Sequence, residues 1–386
     1  MKNRISHLRA LLKEKNLDGM FLSAIPSIVY VTNFTGFDNE DRNAFLLITR
    51  KDCYIFTHGI YKQAVQKYIS DFILIDIERN QPVSTSLKSL IEKHDIKRLG
   101  FEGSDLRFIE YASLVKKIGK NILTLADSIT EQLRIKKSPS EIAAIKKTCQ
   151  IGDEAFTFLL GEIKSGVSEK ELALSYELFI RKKGAKISFD TIVAFGSNGS
   201  LPHHIPTDKK LTKNSFIVLD FGVKVDDYCS DMTRTVFFGK ANGKQKKMYQ
   251  TVRIAQQKSI DYLNTNRHSG KRSASRISKQ NRSWTSQDDV SINASQVDKI
   301  ARDYIVSAGY PNMPHSLGHG IGLLVHELPR LSLFSKDLLT EGMVFSVEPG
   351  IYVPEIGGVR IEDLITIKKT GVEILTTAPK HLIELS

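Results

Sequence analysis

The chain has 386 residues, of which 41% are hydrophobic and 25% charged, and this composition excludes a wholly disordered or fibrous protein. The length suits two domains, or one large and one small, better than a single domain. Lysine and arginine outnumber aspartate and glutamate by 55 to 43, a formal charge of +12. Such an excess favours a nucleic-acid or acidic-membrane partner only where it is concentrated on one surface, so its position along the chain matters.

Targeting signals and cysteine spacing indicate the cellular compartment in which the protein is expected. No apolar run of about 18 residues or more occurs, so we expect no segment to span a bilayer and no membrane partner. The amphipathic start of the chain, 1–15, lacks the apolar core of a signal peptide. Cys53, Cys149 and Cys229 lie far apart and match no metal-ligand spacing. These features predict a cytoplasmic protein without a disulfide framework.

The first 127 residues alternate helical and β-strand patterns. An amphipathic helix is predicted at the start, where Ile5, Leu8, Leu11 and Leu12 share one face. Short β-rich runs are predicted at 19–22, 44–49, 53–57, 72–75 and 98–101. Further helices are predicted at 60–68, 83–93 and 106–117. This alternation predicts a small α/β domain, 1–127, in which helices cover a mixed sheet.

The second predicted domain, 128–386, begins with two helices. Ser138 and Glu141 form a capping box with Pro139 at the first helical position, and Ser168 with Glu171 repeats the pattern. β-rich runs then follow at 190–195, 216–221, 228–238, 344–347 and 358–367. Helices are predicted at 244–263 and 294–307. We therefore expect helices packed outside a strongly curved antiparallel sheet.

One segment, 264–291, interrupts this pattern. It contains seven serines and six basic residues against two aspartates, with almost no periodic apolar residues. Such a composition is typical of a disordered surface insertion. The segment holds a net +4 of the +12, and the rest of the charge is spread along the chain. The basic balance therefore does not predict a nucleic-acid site.

Carboxylates and one histidine recur through the β-rich part of the second domain. Asp220 ends an apolar strand, Asp231 opens the following one, His319 is flanked by glycines, and Glu348 and Glu362 come later. Each alone is explained by an ion pair or a turn. A charge at the end of an apolar strand needs compensation, however, and several in one domain favour bound cations. The oxygen-rich set suits two divalent ions that share bridging carboxylates.

The ordered motifs LDFG, SDMTRT, GHGIG, VEPG and GVRIED resemble those of the pita-bread-fold metallopeptidases of the Xaa-Pro aminopeptidase and prolidase group. The resemblance covers the whole chain except the insertion and includes the creatinase-type N-terminal domain. The spacings, eleven residues from Asp220 to Asp231 and fourteen from Glu348 to Glu362, also look like those of the family. The resemblance implies an α+β fold class, with a smaller α/β domain before a pita-bread catalytic domain.

The resemblance implies a role for each matching ligand position. Asp231 and Glu362 would bridge two metal ions, Asp220 would complete one ion, and His319 and Glu348 would complete the other. Glu348 would also take a proton from water and pass it to the leaving nitrogen. Mn²⁺ is the expected metal, with Co²⁺, Fe²⁺ or Zn²⁺ as alternatives.

The resemblance also implies supporting residues. His203 and His326 match the family's two substrate-side histidines, and Arg360 matches the arginine beside the bridging carboxylates. His204 and His315 are expected to be packing histidines or to support the ligands.

The implied reaction is hydrolysis of the bond between an N-terminal residue and a following proline, in dipeptides or oligopeptides, by a homodimer. Prolidase and aminopeptidase P activities both remain open. Arg42 and Arg107 could bind a dipeptide's free carboxylate, but the sequence assigns neither. The alternatives on this fold are a methionine aminopeptidase-like enzyme, metal-free creatinase and a catalytically inactive peptide-binding module. The N-terminal domain and GVRIED disfavour the first, and the retention of all five ligands disfavours the others.

Overall fold

The computed structural model describes residues 2–37, 42–77, 82–268 and 291–386. Contacts divide the chain into two units, Met1–Arg134 and Ile135–Ser386. The division falls at the end of a helix, Asp127–Ile135. The domain limits expected from the sequence, 1–127 and 128–386, would cut the chain after the first residue of that helix, and they stay a prediction.

The first unit is a mixed sheet covered by helices. In chain order its elements are α1 (Lys2–Glu14), β1 (Gly19–Leu22), α2 (Ile25–Thr32), β2 (Ala44–Thr49), β3 (Cys53–Thr57), α3 (Gly59–Tyr68), β4 (Ile73–Asp76), α4 (Val83–Lys93), β5 (Leu99–Phe101), α5 (Phe108–Ile118), β6 (Leu123–Leu125) and α6 (Asp127–Ile135). The strands lie in the order β4-β3-β2-β1-β5-β6. Strand β2 pairs antiparallel with both neighbours, and the other pairs are parallel. The predicted small α/β domain is confirmed.

The described residues of the second unit form two larger sheets and four α-helices. Its elements are α7 (Pro139–Glu162), α8 (Glu169–Lys182), β7 (Lys186–Ile187), β8 (Ile192–Phe195), β9 (Ser215–Phe221), β10 (Val223–Val225), β11 (Tyr228–Cys229), β12 (Met232–Phe238), α9 (Gly243–His268), β13 (Ile292–Asn293), α10 (Ala294–Ser307), β14 (Gly318–Gly320), β15 (Glu327–Leu331), β16 (Leu338–Leu339), β17 (Val344–Val347), β18 (Gly350–Val353), β19 (Gly357–Arg360), β20 (Asp363–Lys368), β21 (Gly371–Ile374) and β22 (Glu384–Leu385). One large sheet has the order β22-β12-β9-β8 and the other β15-β14-β17-β20-β21.

Each large sheet of the second unit is backed by a pair of helices. Apolar side chains of α7 and α8, such as Phe156 and Tyr176, pack with Leu219 and other residues of the four-stranded sheet. Those of α9 and α10, such as Val252 and Val297, pack with the five-stranded sheet. The capping boxes that start α7 and α8 are formed as predicted. Within the described ranges, no helix combines the length and apolar character needed to cross a bilayer.

Two strands predicted as continuous are each broken in the structure. The run 228–238 divides into β11 and β12, with Ser230 and Asp231 outside both strands. The run 358–367 divides into β19 and β20, with Ile361 and Glu362 between them. Both breaks therefore fall on residues with candidate functional side chains, where the chain leaves regular strand pairing.

Helix α9 extends beyond its predicted end at 263, into the segment expected to be an insertion. The helix continues to His268, and two side chains of this extension bind the β20–β21 hairpin. Asn264 Oδ1 accepts a hydrogen bond from Val372 N at 2.9 Å, and Arg267 Nε donates to Lys368 O at 3.1 Å. Residues 269–290 lie outside the described residues, so an insertion there stays a prediction.

The three cysteines are buried free thiols. Cys53 lies in β3 of the first unit, whereas Cys149 in α7 and Cys229 in β11 belong to the second. Burial raises the pKa of each thiol, which disfavours the reactive thiolate at neutral pH.

Candidate metal centre

Two neighbouring strands bring the first two predicted ligands to the same end of the four-stranded sheet. Asp220 lies in β9 opposite Thr233 of β12, and Asp231 directly precedes β12. Both carboxylates are buried, with 8% and 5% exposure. The antiparallel register thus sets Asp231 beside the strand end that carries Asp220.

The five-stranded sheet supplies the next two predicted ligands, His319 from β14 and Glu348 just after β17. Ser346 joins them, because its hydroxyl accepts a hydrogen bond from the His319 N–H at 3.1 Å and donates one to Glu348 Oε1 at 3.2 Å. The N–H of Glu348 donates to Leu317 O at 2.8 Å. Both the backbone and the side chain of Glu348 are therefore held against the segment that carries His319.

The fifth predicted ligand, Glu362, is fixed against β12 although it lies between β19 and β20. Its N–H donates to Thr233 O at 3.0 Å, and the Thr233 hydroxyl donates to Glu362 Oε2 at 2.8 Å. The buried guanidinium of Arg234 binds Glu362 O, and it donates to Asp363 Oδ1 at 2.7 Å. These contacts join the two sheets at the point where the carboxylates meet.

Three of the five predicted ligands converge closely. One ligand atom each of Asp231, His319 and Glu362 lies within 4.8 Å of the other two. His319 Nε2 is 3.7 Å from Asp231 Oδ2 and 3.3 Å from Glu348 Oε1. Asp220 is near enough for its charge to raise the pKa of both Asp231 and Glu362. The structure therefore gathers all five predicted ligands into one cluster.

This cluster is electrostatically unfavourable as a set of bare side chains. Burial, and then the charge of Glu362, raise the pKa of Asp231 well above its usual value. Burial and the charge of Glu348 do the same to Glu362. Burial would also raise the pKa of Glu348, but a hydrogen bond from His319 lowers it to about 2. Glu348 in turn raises the pKa of His319 to about 9, against the opposing effect of burial.

Three buried carboxylate oxygens of the cluster have no hydrogen-bond partner among the described residues: Asp220 Oδ1, Asp231 Oδ1 and Glu362 Oε1. A buried carboxylate oxygen left unpaired costs free energy, and a bound cation removes that cost. Carboxylate oxygens with one imidazole are ligands that Mn²⁺, Co²⁺, Fe²⁺ and Zn²⁺ accept. The side chains present therefore fit divalent metal ions.

Arg360 hydrogen-bonds directly to a carboxylate of this cluster. Its guanidinium binds Asp220 Oδ2, and it donates to Thr233 Oγ1 at 3.1 Å and to Tyr352 Oη at 2.9 Å. Tyr352 Oη lies 2.8 Å from His315 Nε2. Because His315 Nδ1 lies 2.8 Å from the Ser316 carbonyl oxygen, Nδ1 carries the proton and Nε2 accepts from Tyr352. Hydrogen bonds therefore connect Arg360 through Tyr352 to His315.

The two predicted substrate-side histidines are exposed, in contrast to the buried carboxylates. The His326 ring lies 4.3 Å from the ring of His319. Desolvation lowers the pKa of His326, and the charges of His319 and His203 add to that effect, so His203 lies nearby. Pro202, the neighbour of His203, accepts a hydrogen bond from Arg360 at 3.2 Å. Both histidines are thus accessible to a substrate beside the cluster.

His204 is buried beside its exposed neighbour and has a different environment. Its Nε2 donates to Glu169 Oε2 at 2.8 Å. Of the two possibilities expected from the sequence, this contact matches a packing histidine whose polar group is satisfied, since Glu169 is not a predicted ligand.

Profiles of two known families match the chain. Residues 4–136 match the creatinase/prolidase N-terminal domain, and residues 143–369 match metallopeptidase family M24. The chain belongs to metallopeptidase family M24.

Relatives in this family align over almost the whole chain. The Xaa-Pro dipeptidase of Pyrococcus horikoshii is 33% identical in an alignment of 386 positions that covers 99% of each chain. The solved Xaa-Pro dipeptidase from Bacillus anthracis is 34% identical, with a TM-score of 0.87 over 100% of this chain and 99% of that one. The X-Pro aminopeptidase from Thermotoga maritima is 30% identical, with a TM-score of 0.81 over 96% and 98%.

These matches confirm the family and the α+β fold expected from the sequence, a pita-bread domain preceded by a creatinase-type domain. This M24 chain is accordingly an enzyme, a metallopeptidase and hydrolase.

The site of this M24 peptidase includes side chains that sequence reasoning missed. Arg234, with 1% exposure, and Asp363 hold the backbone of Glu362 in place. Tyr352 connects Arg360 to His315. One signal in the sequence points to Arg234, since a lone arginine interrupts the otherwise uncharged strand MTRTVFF. Nothing comparable marks Tyr352.

Proposed function

We propose that this M24 peptidase is a two-metal Xaa-Pro dipeptidase, which hydrolyses the bond between an N-terminal residue and a following proline. The observation that carries the proposal is the convergence of the half-buried His319 with the buried carboxylates of Asp231 and Glu362, with unpaired oxygens beside two exposed histidines. The proline specificity is supported by the similarity to Xaa-Pro dipeptidases.

Each predicted ligand has a proposed place. Asp231 and Glu362 would bridge the two ions, Asp220 would complete one, and His319 and Glu348 would complete the other. Divalent ions held there would supply Lewis-acid activation of water and of the scissile carbonyl. Mn²⁺ is the proposed metal.

Proton transfer is assigned to Glu348. Its carboxylate would accept a proton from the attacking water and deliver it to the prolyl nitrogen as the amide bond breaks. Ser346, which donates to Glu348 Oε1, would hold the carboxylate in position for both transfers. Protonation is essential here, because the nitrogen would otherwise leave as a strongly basic anion, whereas the protonated nitrogen leaves as a neutral amine.

His203 and His326 are assigned to the substrate carbonyl. An exposed imidazole can donate an N–H to the carbonyl oxygen and to the oxyanion that develops from it. Their position beside the cluster supports this assignment.

A dipeptidase also needs a cation for the free carboxylate of its substrate. Arg42 is already neutralised, since its guanidinium binds Asp105 and Glu110, each at 2.5 Å. Arg330 lies in β15 opposite His319 of β14, is exposed, and has no ion pair within the described residues. Its charge contributes to lowering the pKa of His326. We therefore assign the substrate carboxylate to Arg330 rather than to Arg42 or Arg107.

The test compares an Ala-Pro dipeptide with a longer Ala-Pro peptide whose C-terminus is amidated, with Mn²⁺, Co²⁺ or Zn²⁺ added to metal-free protein. A dipeptidase turns over the dipeptide faster. Arg330→Met should raise KM for the dipeptide about tenfold or more without changing KM for the amidated peptide, because only the dipeptide presents the carboxylate.

The matched control is Arg253→Met, since Arg253 is exposed on α9 and its side chain hydrogen-bonds only to Gln250 among the residues that the structure describes. Faster cleavage of the longer peptide would favour an aminopeptidase activity, as in the T. maritima relative. No cleavage of either substrate with any metal would contradict the proposal. The homodimer and the cytoplasmic location stay predictions, and light scattering checks the first.

A further inference from the structure

Helix α9 carries a buried glutamine that contacts both segments bearing glutamate ligands. Gln256 has 1% exposure. Its Nε2 donates to Val347 O at 3.0 Å and to Ile361 O at 3.2 Å. Val347 directly precedes Glu348 and Ile361 directly precedes Glu362. A side-chain amide has two hydrogens, and Gln256 commits one to each carbonyl.

With these two bonds, the peptide group that precedes each glutamate is hydrogen-bonded at both its carbonyl oxygen and its N–H. A peptide bond is planar, so the carbonyl of Val347 and the N–H of Glu348 move as one unit. Gln256 holds this unit at its oxygen, and Leu317 O holds it at the N–H, at 2.8 Å. With both sides of the preceding peptide fixed, the direction of the Glu348 side chain is set.

The peptide before Glu362 is held in the same way. Gln256 binds the Ile361 carbonyl, and the Glu362 N–H donates to Thr233 O at 3.0 Å. One amide therefore orients the backbone of two carboxylates that lie in different segments of the chain.

Strand pairing is interrupted at these two glutamates. The ladder between β17 and β20 ends at the pair Val347 and Asp363, and the ladder between β18 and β19 begins at the pair Gly350 and Arg360. Between the two ladders the segments share a long backbone hydrogen bond, from Ile361 N to Pro349 O at 3.4 Å. Gln256 donates to the carbonyls of Val347 and Ile361 within this interruption.

We propose that Gln256 is a positioning residue of the metal centre, which orients Glu348 and Glu362 through the preceding peptide groups without touching either carboxylate. The inference rests on the proposed assignment of these glutamates as metal ligands. Loss of the amide leaves the carbonyls of Val347 and Ile361 without this donor where strand pairing is interrupted. The predicted consequence is a shift of both glutamates, weaker metal binding and an altered coordination geometry.

The test measures metal binding directly in Gln256→Leu, which keeps the size of the side chain and removes both donors. Mn²⁺ affinity of the metal-free protein is measured by equilibrium dialysis, and the visible absorption of the Co²⁺ form reports coordination geometry. We expect Mn²⁺ affinity to fall about tenfold or more and the Co²⁺ spectrum to change. If this variant does not fold, Gln256→Asn serves instead, since its shorter side chain cannot span both carbonyls.

Two controls separate positioning from general loss of packing. Gln257 is exposed, and within the described part of the chain its side chain hydrogen-bonds only to Asp261 on the same helix, at 2.8 Å. Gln257→Leu should therefore retain wild-type affinity. Ser259 is buried and donates to Val297 O at 3.1 Å, a contact between α9 and α10 that touches no ligand segment. Ser259→Ala should lower the melting temperature of the metal-free protein but leave Mn²⁺ affinity unchanged.

The outcomes distinguish this inference from the proposed function. Wild-type Mn²⁺ affinity and a wild-type Co²⁺ spectrum in the Gln256 variant would overturn the positioning role, even if the variant melted earlier. A wild-type protein that binds no divalent metal would overturn the proposed function as well.

Discussion

At the scale of single residues, the site depends on a buried ion pair that lies behind it. Asp363 is fully buried and accepts hydrogen bonds from Arg234 at 2.7 Å, Thr376 at 2.8 Å and Lys380 at 2.6 Å. Burial alone would raise the pKa of Asp363, but the charges of Arg234 and Lys380 lower it. Arg234 also binds the carbonyl of Glu362. The ion pair of Arg234 and Asp363 thus supports the backbone of the predicted ligand Glu362 and does not contact its carboxylate.

Asp363→Asn should destabilise the protein by about 3 to 5 kcal/mol at neutral pH, because it leaves the Arg234 charge buried without its partner. Urea unfolding measures the change. The control is Glu373→Gln, which removes a partly exposed pair with Lys146 and Lys368 and should cost at most about 1 kcal/mol. Equal losses in the two variants would contradict the role given to burial.

The same variant gives a pH dependence with a definite sign. A carboxyl whose pKa is lowered by folding contributes stability above its ordinary pKa, about 3.9 for aspartate, and loses it as the pH falls through the lowered value. The difference in unfolding free energy between wild type and Asp363→Asn should therefore be full at neutral pH and shrink below about pH 3.9. A difference that grew on acidification would contradict this assignment.

At the scale of elements, one glutamate at the start of α8 holds the segment that presents His203. Glu169 accepts hydrogen bonds from Phe195 N and Asn198 Nδ2, each at 2.8 Å, and from His204 Nε2 at 2.8 Å. Thr207 adds two more, from its N–H at 2.9 Å and its hydroxyl at 2.6 Å. These contacts are on both sides of His203 in the chain, so Glu169 closes the segment into a fixed loop.

Glu169→Gln replaces an acceptor oxygen with a donor that faces other donors, and we expect it to loosen this loop. The predicted result is a fall in kcat/KM of about tenfold, with Mn²⁺ affinity unchanged, because no predicted metal ligand lies in the loop. The matched control is Glu171→Gln, about one half-turn further along α8, where the exposed side chain can still complete the capping box with Ser168. It should leave both kcat/KM and Mn²⁺ affinity intact. A parallel loss of metal affinity in Glu169→Gln would refute the separation of the two roles.

The helices and strands also show which features of the fold could be predicted from the sequence and which could not. The capping boxes of α7 and α8 were predictable because cap and partner are three residues apart. The strand breaks at Asp231 and Glu362 were not, since both runs continue the alternation of a strand and only tertiary contacts interrupt it. Helix α2 escaped prediction because nearly all its side chains are buried, which leaves no polar face to mark its period.

The contacts that support the predicted ligands could not be predicted from the sequence for a related reason. The order and spacing of the five predicted ligands could be read from the sequence. Gln256 and Arg234 could not be connected to them, because these side chains bind backbone atoms 91 to 144 residues away. Such contacts depend on how sheets and helices pack in three dimensions, and the pattern of residues along the sequence does not show this packing.

At the scale of the whole molecule, all five predicted ligands belong to the second unit, Ile135–Ser386. They come from both of its large sheets, so bound ions would join β9 and β12 to β14 and β17. Mn²⁺ at 100 times its dissociation constant should stabilise this unit by about 2.7 kcal/mol.

Hydrogen exchange followed by mass spectrometry checks this expectation by region. Peptides from β9, β12, β17 and β20 should exchange up to about 100-fold more slowly with Mn²⁺, whereas peptides from 2–37 should not change. The effect should disappear in Asp231→Asn, which removes a proposed bridging ligand. Equal slowing in both units would contradict a site confined to the second.

The distribution of the three buried thiols provides a separate way to follow the two units. Alkylating reagents attack a thiolate, so each sulfur atom becomes reactive only when its surroundings open. Cys53 would therefore record opening of the first unit, and Cys149 and Cys229 opening of the second. The natural chain needs no introduced label for such an experiment. Mass spectrometry of alkylated peptides would give a separate opening rate for each unit from one sample.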